Sequence, residues 1–303
     1  MKLLFDEDLV EAVVFLCASG RRGPKPALQI RRFQAARERL YSILDPDERN
    51  AAFFRLNLDW FREWGVEELL RGILKDFPLF EQGLSALAFR KARARNDEAA
   101  ELFVHPEQGR RGIVAVRGER FGSDESVRCL LNHELTHLSD MLDPAFGYSP
   151  ELALPVALRA SERLVRERYR LLWDVTIDGR LTQRKLATEM SRDRHWIEFE
   201  RAFGFWGEEQ RRQTFDSLWM GPGPQHEALM SMAADPRNLR AAHQPLPGAP
   251  CPLCGFATFD WAPVAAMEPK TIDAIRAEFP AWTKESGVCA RCVEIYQLLP
   301  CQN

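Results

Sequence analysis

The 303-residue sequence lacks any apolar run approaching the roughly 18 residues that a membrane-spanning helix needs, so no membrane partner is expected. It also lacks an excess of one charge. Its 41 Lys and Arg face 44 Asp and Glu, and the net charge of -3 gives no general attraction to nucleic acid or to an anionic surface. A basic leader is missing too: Asp6, Glu7 and Asp8 stand where a secretory segment would be basic, and Glu11 interrupts the apolar stretch Leu9–Cys17. The expectation is a cytoplasmic chain, long enough to bury a core without disulfides. Internal repeats and low-complexity tracts are absent.

What is present is unevenly spread. Seven cysteines include two C-x-x-C pairs, which in a reducing compartment suggest metal rather than disulfides. Cys17 and Cys129 read as small core residues, and Cys301 has no reading. Residues 1–83 read as a helical N-terminal region. Pro26 opens a segment with an apolar stripe of Ile30, Phe33, Leu40 and Ile43, and the aromatic cluster Phe53, Phe54, Trp60, Phe61 and Trp64 reads as helix-packing core. Residues 84–241 form a second region. It starts with strand candidates Leu84 to Phe89, Glu101 to Val104 and Ile113 to Val116, the last two joined by a turn-rich loop. Ser123 is an N-cap candidate for a helix that Pro144 should stop near Leu142. Further helices are expected over about 151–181 and 183–218, the latter broken near Gly204 to Gly207, with a short one at His226 to Ala234. A Pro-rich linker at 243–250 precedes the first cysteine pair, so residues 242–303 read as a separate module.

The central motif is His133-Glu134-Leu135-Thr136-His137. Histidines at i and i+4 project from one helix face and can reach one metal ion, with the intervening glutamate beside it. At about 100° per residue, Val127, Leu131, Leu135, Leu138 and Leu142 fall within roughly 80° of arc, and the two histidines point roughly 200° to 240° away from Leu131. The ligands are therefore expected to face a cleft. The plainer alternative is two surface histidines on an ordinary amphipathic helix.

With this motif the chain resembles the zincin metallopeptidases, an α+β class in which a small twisted sheet precedes the motif helix and a third ligand follows. The resemblance implies a catalytic zinc on His133 and His137, Glu134 as general base, and a substrate lying along the sheet's edge strand, here Ile113 to Val116. Three candidates exist for the third ligand. Asp174 and Asp178 look like the glutamate-zincin (gluzincin) arrangement: by that resemblance Asp174 is the ligand and Asp178 holds a ligand histidine, with Asp in place of Glu and the reverse assignment open. Asp143 has the metzincin spacing, but Asp140 stands where those proteins carry a glycine. His195 or His226 would complete a three-histidine set. Taken alone, Asp174 and Asp178 read as a charged helix face pairing with Arg170 and Arg180. Tyr148, Tyr169, His195 and His226 are candidates to stabilise an oxyanion.

Cys251, Cys254, Cys289 and Cys292 form two knuckles with a spacer longer than the usual 15 to 20 or so residues. Four thiolates in this pattern make a closed structural zinc site, read as a zinc ribbon with an inserted helix near Thr271 to Phe279. Two zinc ions are thus expected, one catalytic and one structural. The leading expectation is a zinc metallopeptidase acting on a protein or peptide. The motif and ribbon together also resemble the SprT/Spartan-like proteases, which act on DNA-associated proteins, although Lys270, Arg276, Lys284 and Arg291 are too scattered to imply nucleic-acid binding. A third possibility is a non-catalytic binding or regulatory protein on the same scaffold.

Overall fold

A computed structural model describes residues 1–105, 107, 109–149, 162–235, 248, 250–264 and 267–298. The chain is mostly helical around one small mixed sheet, an α+β arrangement. It divides into two compact units, residues 1–152 with 168–229, and residues 153–167 with 230–303.

The first unit begins with a strand, β1 (Lys2–Phe5). Five helices follow: α1 (Glu7–Ala18), α2 (Ala27–Leu40), α3 (Pro46–Glu63), α4 (Val66–Leu74) and α5 (Leu79–Gly83). Three strands complete the sheet, β2 (Ala86–Lys91), β3 (Ala99–His105) and β4 (Gly109–Val116). The sheet order is β1-β2-β4-β3. β1, β2 and β4 run parallel, with Leu3 opposite Leu87 and Leu87 opposite Gly112, while β3 is antiparallel to β4. Local sequence explains the ends. Pro46 occupies the first turn of α3, and Asp45 caps it by accepting from the Glu48 N–H at 2.7 Å. The Asp6 carboxylate accepts from the Lys91 N–H at 3.0 Å, fastening the exit of β1 to the end of β2.

Two readings are corrected here. Residues 1–83 are not purely helical: Lys2–Phe5 is a strand whose parallel partner lies more than 80 residues away, a pairing no local pattern reveals. The edge strands are β1 and β3, not Ile113 to Val116, because β4 is paired on both sides. The antiparallel hairpin itself agrees with the turn-rich loop that suggested it. The expected boundary at 83/84 runs through one core. Leu9, Val13, Leu70 and Ile73 pack in the same cluster as Leu87, Phe89, Val114 and Val116 of the sheet and Leu131, Leu135 and Leu138 beyond it. Each large side chain so buried contributes about 1.5–3 kcal/mol.

Helix α6 (Asp124–Leu142) lies on that core and carries the histidine motif. Ser123 caps it by accepting from the Ser126 N–H at 3.4 Å, and Asp124 and Glu125 occupy its positively polarised first turn. Its approach to the sheet depends on Gly112 in β4. A β-carbon there would come within 2.7 Å of Leu87 Cδ1 and 2.8 Å of Leu138 Cδ2. The expected apolar stripe is buried, but so is the opposite face: His133 and His137 are each 7% exposed. The histidines are therefore buried rather than facing the expected cleft.

Helix α7 (Glu162–Gln183) begins outside this unit and packs against the histidines with its residues from 168 onward. Helices α8 (Arg192–Ala202), α9 (Glu208–Met220) and α10 (His226–Ala233) follow, with the expected break at 204–207. Gly179 of α7 lies directly against the Trp219 carbonyl at the end of α9, where any β-carbon would collide with backbone.

The second unit contains α11 (Pro269–Glu278) and α12 (Ala290–Leu298). Ile272, Ile275, Trp282, Val288 and Val293 form its core with Cys251, Cys289 and Cys292. The ribbon reading needs correction. Among the described residues the unit has only isolated bridges, Pro250 with Ala257 and Trp261 with Cys289, and the second cysteine pair opens a helix instead of closing a hairpin. The expected boundary at 241/242, Cys301, most of the 243–250 linker and the expected helix start at 151 lie outside the described residues. No described helix is long and apolar enough to cross a membrane.

Candidate metal centres

The structure brings two groups of side chains together in a way that could hold a metal ion: His133, His137 and Asp174, and the four cysteines 251, 254, 289 and 292.

In the first group, α6 presents His133 and His137 one turn apart, and α7 presents Asp174 opposite them. Asp174 Oδ1 lies 2.9 Å from His137 Nε2 and 3.4 Å from His133 Nε2. One turn further along α7, Asp178 is fully buried, and its Oδ1 accepts from His133 Nδ1 at 2.7 Å. That bond fixes a proton on Nδ1 and turns Nε2 toward Asp174 and His137 Nε2. Asp178 Oδ2 accepts from His195 Nε2 at 2.7 Å and from the Met190 N–H at 3.3 Å. Glu134, between the histidines, is held by the Ala100 N–H of β3, which donates to its Oε2 at 2.8 Å.

The electrostatics fit a cation. Burial alone would raise the Asp174 carboxyl and lower the His133 imidazole. Hydrogen bonds to the two histidines outweigh this for Asp174 and hold it far below the usual carboxylate range. Hydrogen bonds to Asp174 and Asp178 likewise push His133 well above the ordinary histidine value. Two imidazole nitrogens and one carboxylate oxygen converge within 4.8 Å, a group that could hold a divalent ion in place of shared protons.

The remaining sequence candidates lie elsewhere. Asp143 ends α6, and its Oδ1 accepts from the Ala145 N–H at 2.8 Å; it is not in the group. His195 is 1% exposed and stands behind Asp178, its Nδ1 without a hydrogen-bond partner. His226 receives the Tyr169 hydroxyl on Nδ1 at 2.6 Å. Burial lowers the His226 pKa and raises that of Tyr169, so near neutrality the phenol donates to a neutral imidazole. This pair adjoins the metal-ligand face through Trp173, whose ring stands 5.5 Å from Tyr169 and 4.4 Å from His137. Tyr148 stacks loosely on the same tryptophan at 5.8 Å.

Arg180 does not pair with Asp178. It forks onto Asp140 of α6, Nη1 to Oδ1 at 2.9 Å, while Trp173 Nε1 donates to Asp140 Oδ2 at 2.8 Å. This buried network locks α7 against α6 and thereby sets the distance from Asp174 to the histidines. The sequence reading missed it, along with the Ala100 N–H and the His195 contact. The only signal for it was Asp140, an acid on the histidine face of α6.

In the second group, Cys251 Sγ lies 4.0 Å from Cys292 Sγ, and Cys254 Sγ lies 3.9 Å from Cys289 Sγ. Sulfurs about 2.3 Å from one tetrahedral ion stand about 3.8 Å apart, whereas a disulfide requires about 2.05 Å. The spacing therefore matches shared metal ligation. Backbone N–H groups of Cys289 and Cys292 approach Cys251 Sγ and Cys289 Sγ at 3.5 and 3.4 Å. Burial disfavours the Cys251 thiolate, but such N–H donors overcome it and pull that thiol down to about 7. Cys17 is fully buried, as read, but Cys129 is only half-buried and borders a cavity.

Comparison with protein-family models, with curated proteins and with solved structures finds no match for this chain.

Proposed function

We propose that the chain is a zinc-dependent metallopeptidase of zincin type, with its catalytic zinc on His133, His137 and Asp174 and a structural zinc on the four cysteines. The observation that carries the reading is the convergence of His133 Nε2, His137 Nε2 and Asp174 Oδ1, with Glu134 fixed beside them by Ala100 of the sheet edge.

When bound, zinc supplies Lewis acidity, which brings the pKa of water toward neutrality and polarises a carbonyl. The protein groups do the rest. Ala100 binds Glu134 Oε2 and leaves Oε1 to take a proton from the attacking water. Glu134 then delivers that proton to the departing amine nitrogen, so the carboxylate ends as it began. Asp178 keeps His133 in the Nδ1–H form, and His195 and Met190 keep Asp178 in place. With Tyr169 donating to Nδ1, His226 carries its own proton on Nε2, a donor for the developing oxyanion. Burial of His133, Glu134 and His137 excludes bulk water and strengthens each of these interactions.

The test is metal content and peptide cleavage of wild type and Glu134→Gln. Two zinc ions per chain, with cleavage by wild type lost in the variant, is the expected result. Two zinc ions and no cleavage would favour a binding scaffold. One zinc, held by cysteines alone, would end the catalytic reading.

A further inference from the structure

A cavity of about 500 Å³ opens on the first unit beside the histidine motif, with no role in the chemistry above. Its three walls each lead to that site. On α6, Ser126 and Cys129 lie seven and four residues before His133, on the same helix face, about two turns and one turn (5.4 Å each) toward the N-terminus. On the far wall, Thr188 and Glu189 directly precede Met190, whose N–H holds Asp178. The third wall is basic. Arg95 stands before β3, five residues from the Ala100 N–H that binds Glu134; Arg117 follows β4, and Arg120 lies beyond it.

The three guanidinium groups differ in how well they are satisfied. Arg120 is tied down, with Nη1 on Glu189 at 2.8 Å and Nη2 on Glu98 at 2.9 Å. Arg117 faces Glu98 Oε1 at 3.3 Å, but out of line, and its buried Nε has no hydrogen-bond partner. Among the described residues Arg95 has no acidic partner. Glu98 is shared between Arg120 and Arg117, Glu189 is bound to Arg120, and Asp124 is drawn outward to Arg22 at 2.6 Å. Exposed Glu125 at the rim is the one lining acid that opposes the arginines, while the N-terminal end of α6 adds its positive polarisation. A guanidinium without an acidic partner, a second that shares Glu98 with Arg120, and a helix N-terminus around an open recess favour a carboxylate.

We propose that this cavity is a specificity pocket that receives a carboxylate of a peptide bound at the neighbouring histidine site, so that the preferred substrates are acidic peptides, with Arg95 and Arg117 as the determinants. The proposal rests on the peptidase reading for its occupant. The carboxylate comes from an Asp or Glu side chain or from the peptide's own C-terminus, and both present the same chemistry to a guanidinium pair.

The test uses equilibrium binding to the full-length, zinc-loaded Glu134→Gln protein. Fluorescent peptide libraries matched in sequence would carry Glu or Gln at each position, each with a free or amidated C-terminus. Roughly tenfold or greater tighter binding of carboxylate-bearing peptides is expected. Preference for Glu over Gln in amidated peptides identifies a side-chain carboxylate; preference for the free terminus identifies the C-terminal one. Arg95→Ala with Arg117→Ala should abolish the preference without weakening the Gln amides, and Arg117→Lys should retain part of it. Equal binding of acidic and neutral sets, or a preference that survives the double alanine variant, would overturn the proposal. Cleavage by wild type is scored separately: its absence sinks the peptidase reading, while the binding comparison still decides the pocket. Both arginines are at least partly exposed, and thermal melts of the variants identify any that fail to fold.

Discussion

Asp178 Oδ1 accepts a hydrogen bond from His133 Nδ1 at 2.7 Å, and this contact decides which nitrogen of His133 faces Asp174. Asp178→Asn keeps the shape but loses the charge, and it sets an amide against the three donors around the carboxylate. Metal affinity at the His133–His137–Asp174 site should fall about 10- to 100-fold, the usual consequence of losing such a support. Competition with a chromophoric chelator would measure this, with the four-cysteine site retaining its metal as internal control. Unchanged affinity would remove Asp178 from the site.

A second prediction concerns acid stability. Glu98 is buried, which alone would raise its pKa, but Arg120 and the Arg117 N–H hold it below the ordinary glutamate value. A carboxyl depressed in the folded state contributes stability that is fully present above its unfolded pKa, about 4.3, and is lost as pH falls through the folded value. Glu98→Gln should be less stable at pH 7 by about 1–3 kcal/mol. Its stability should then decline less steeply than wild type below about pH 4.3. Urea denaturation between pH 3 and pH 7 reads both effects, and parallel acid limbs would refute the assignment.

Gly179 offers a test whose sign is diagnostic. Helix propensity alone says that Gly179→Ala in the middle of α7 stabilises by about 1 kcal/mol. The Trp219 carbonyl occupies the place of the new methyl group, and backbone cannot swing aside as a flexible side chain can. The substitution should destabilise by about 1–3 kcal/mol. It should also disturb Asp178, the preceding residue. Thermal unfolding settles the sign.

These tests bear on the parts of the molecule that a local reading could not reach. The histidine motif, its N-cap at Ser123 and its stop near Leu142 were legible because helix periodicity and capping are local properties. Asp174 and Asp178 were legible only as a spacing of four on a second helix, since nothing local says that this helix lies across the first. The parallel pairing of β1 with β2, the position of β3 at the edge and the Asp140–Arg180 fork all arise from long-range packing. His195 was read as a possible ligand or oxyanion donor because sequence shows residue type but not which neighbour has taken its hydrogen bond.

If the metallopeptidase reading holds, Tyr169 and His226 separate turnover from binding. The phenol donates to His226 Nδ1 and so fixes the proton on Nε2. Tyr169→Phe removes that control with little change in packing around Trp173. The expected result is a fall in kcat of about 10²-fold, the scale of losing one oxyanion donor, with KM little altered. A variant with normal kcat would place the oxyanion donor elsewhere, with Tyr148 the next residue to substitute.

The cysteine site makes the last prediction, and it concerns folding. The second unit has a small core in which Ile272, Ile275, Trp282, Val288 and Val293 surround three of the four cysteines. Such a core is too small to offset the entropy of ordering its loops, so a metal ion on the four cysteines would supply much of its folding energy. Removing the metal leaves four thiols about 4 Å apart, with Cys251 pulled toward the thiolate near pH 7 by surrounding N–H groups. Nothing then balances that charge or holds the two knuckles together. Chelation, or Cys289→Ser, should expose the region from about residue 250 onward to protease while the unit around α6 keeps its cooperative thermal transition. Limited proteolysis with mass mapping, run beside calorimetry, distinguishes this from general unfolding. Full protease resistance of the metal-free protein would show that the cysteines only decorate a core that stands without them.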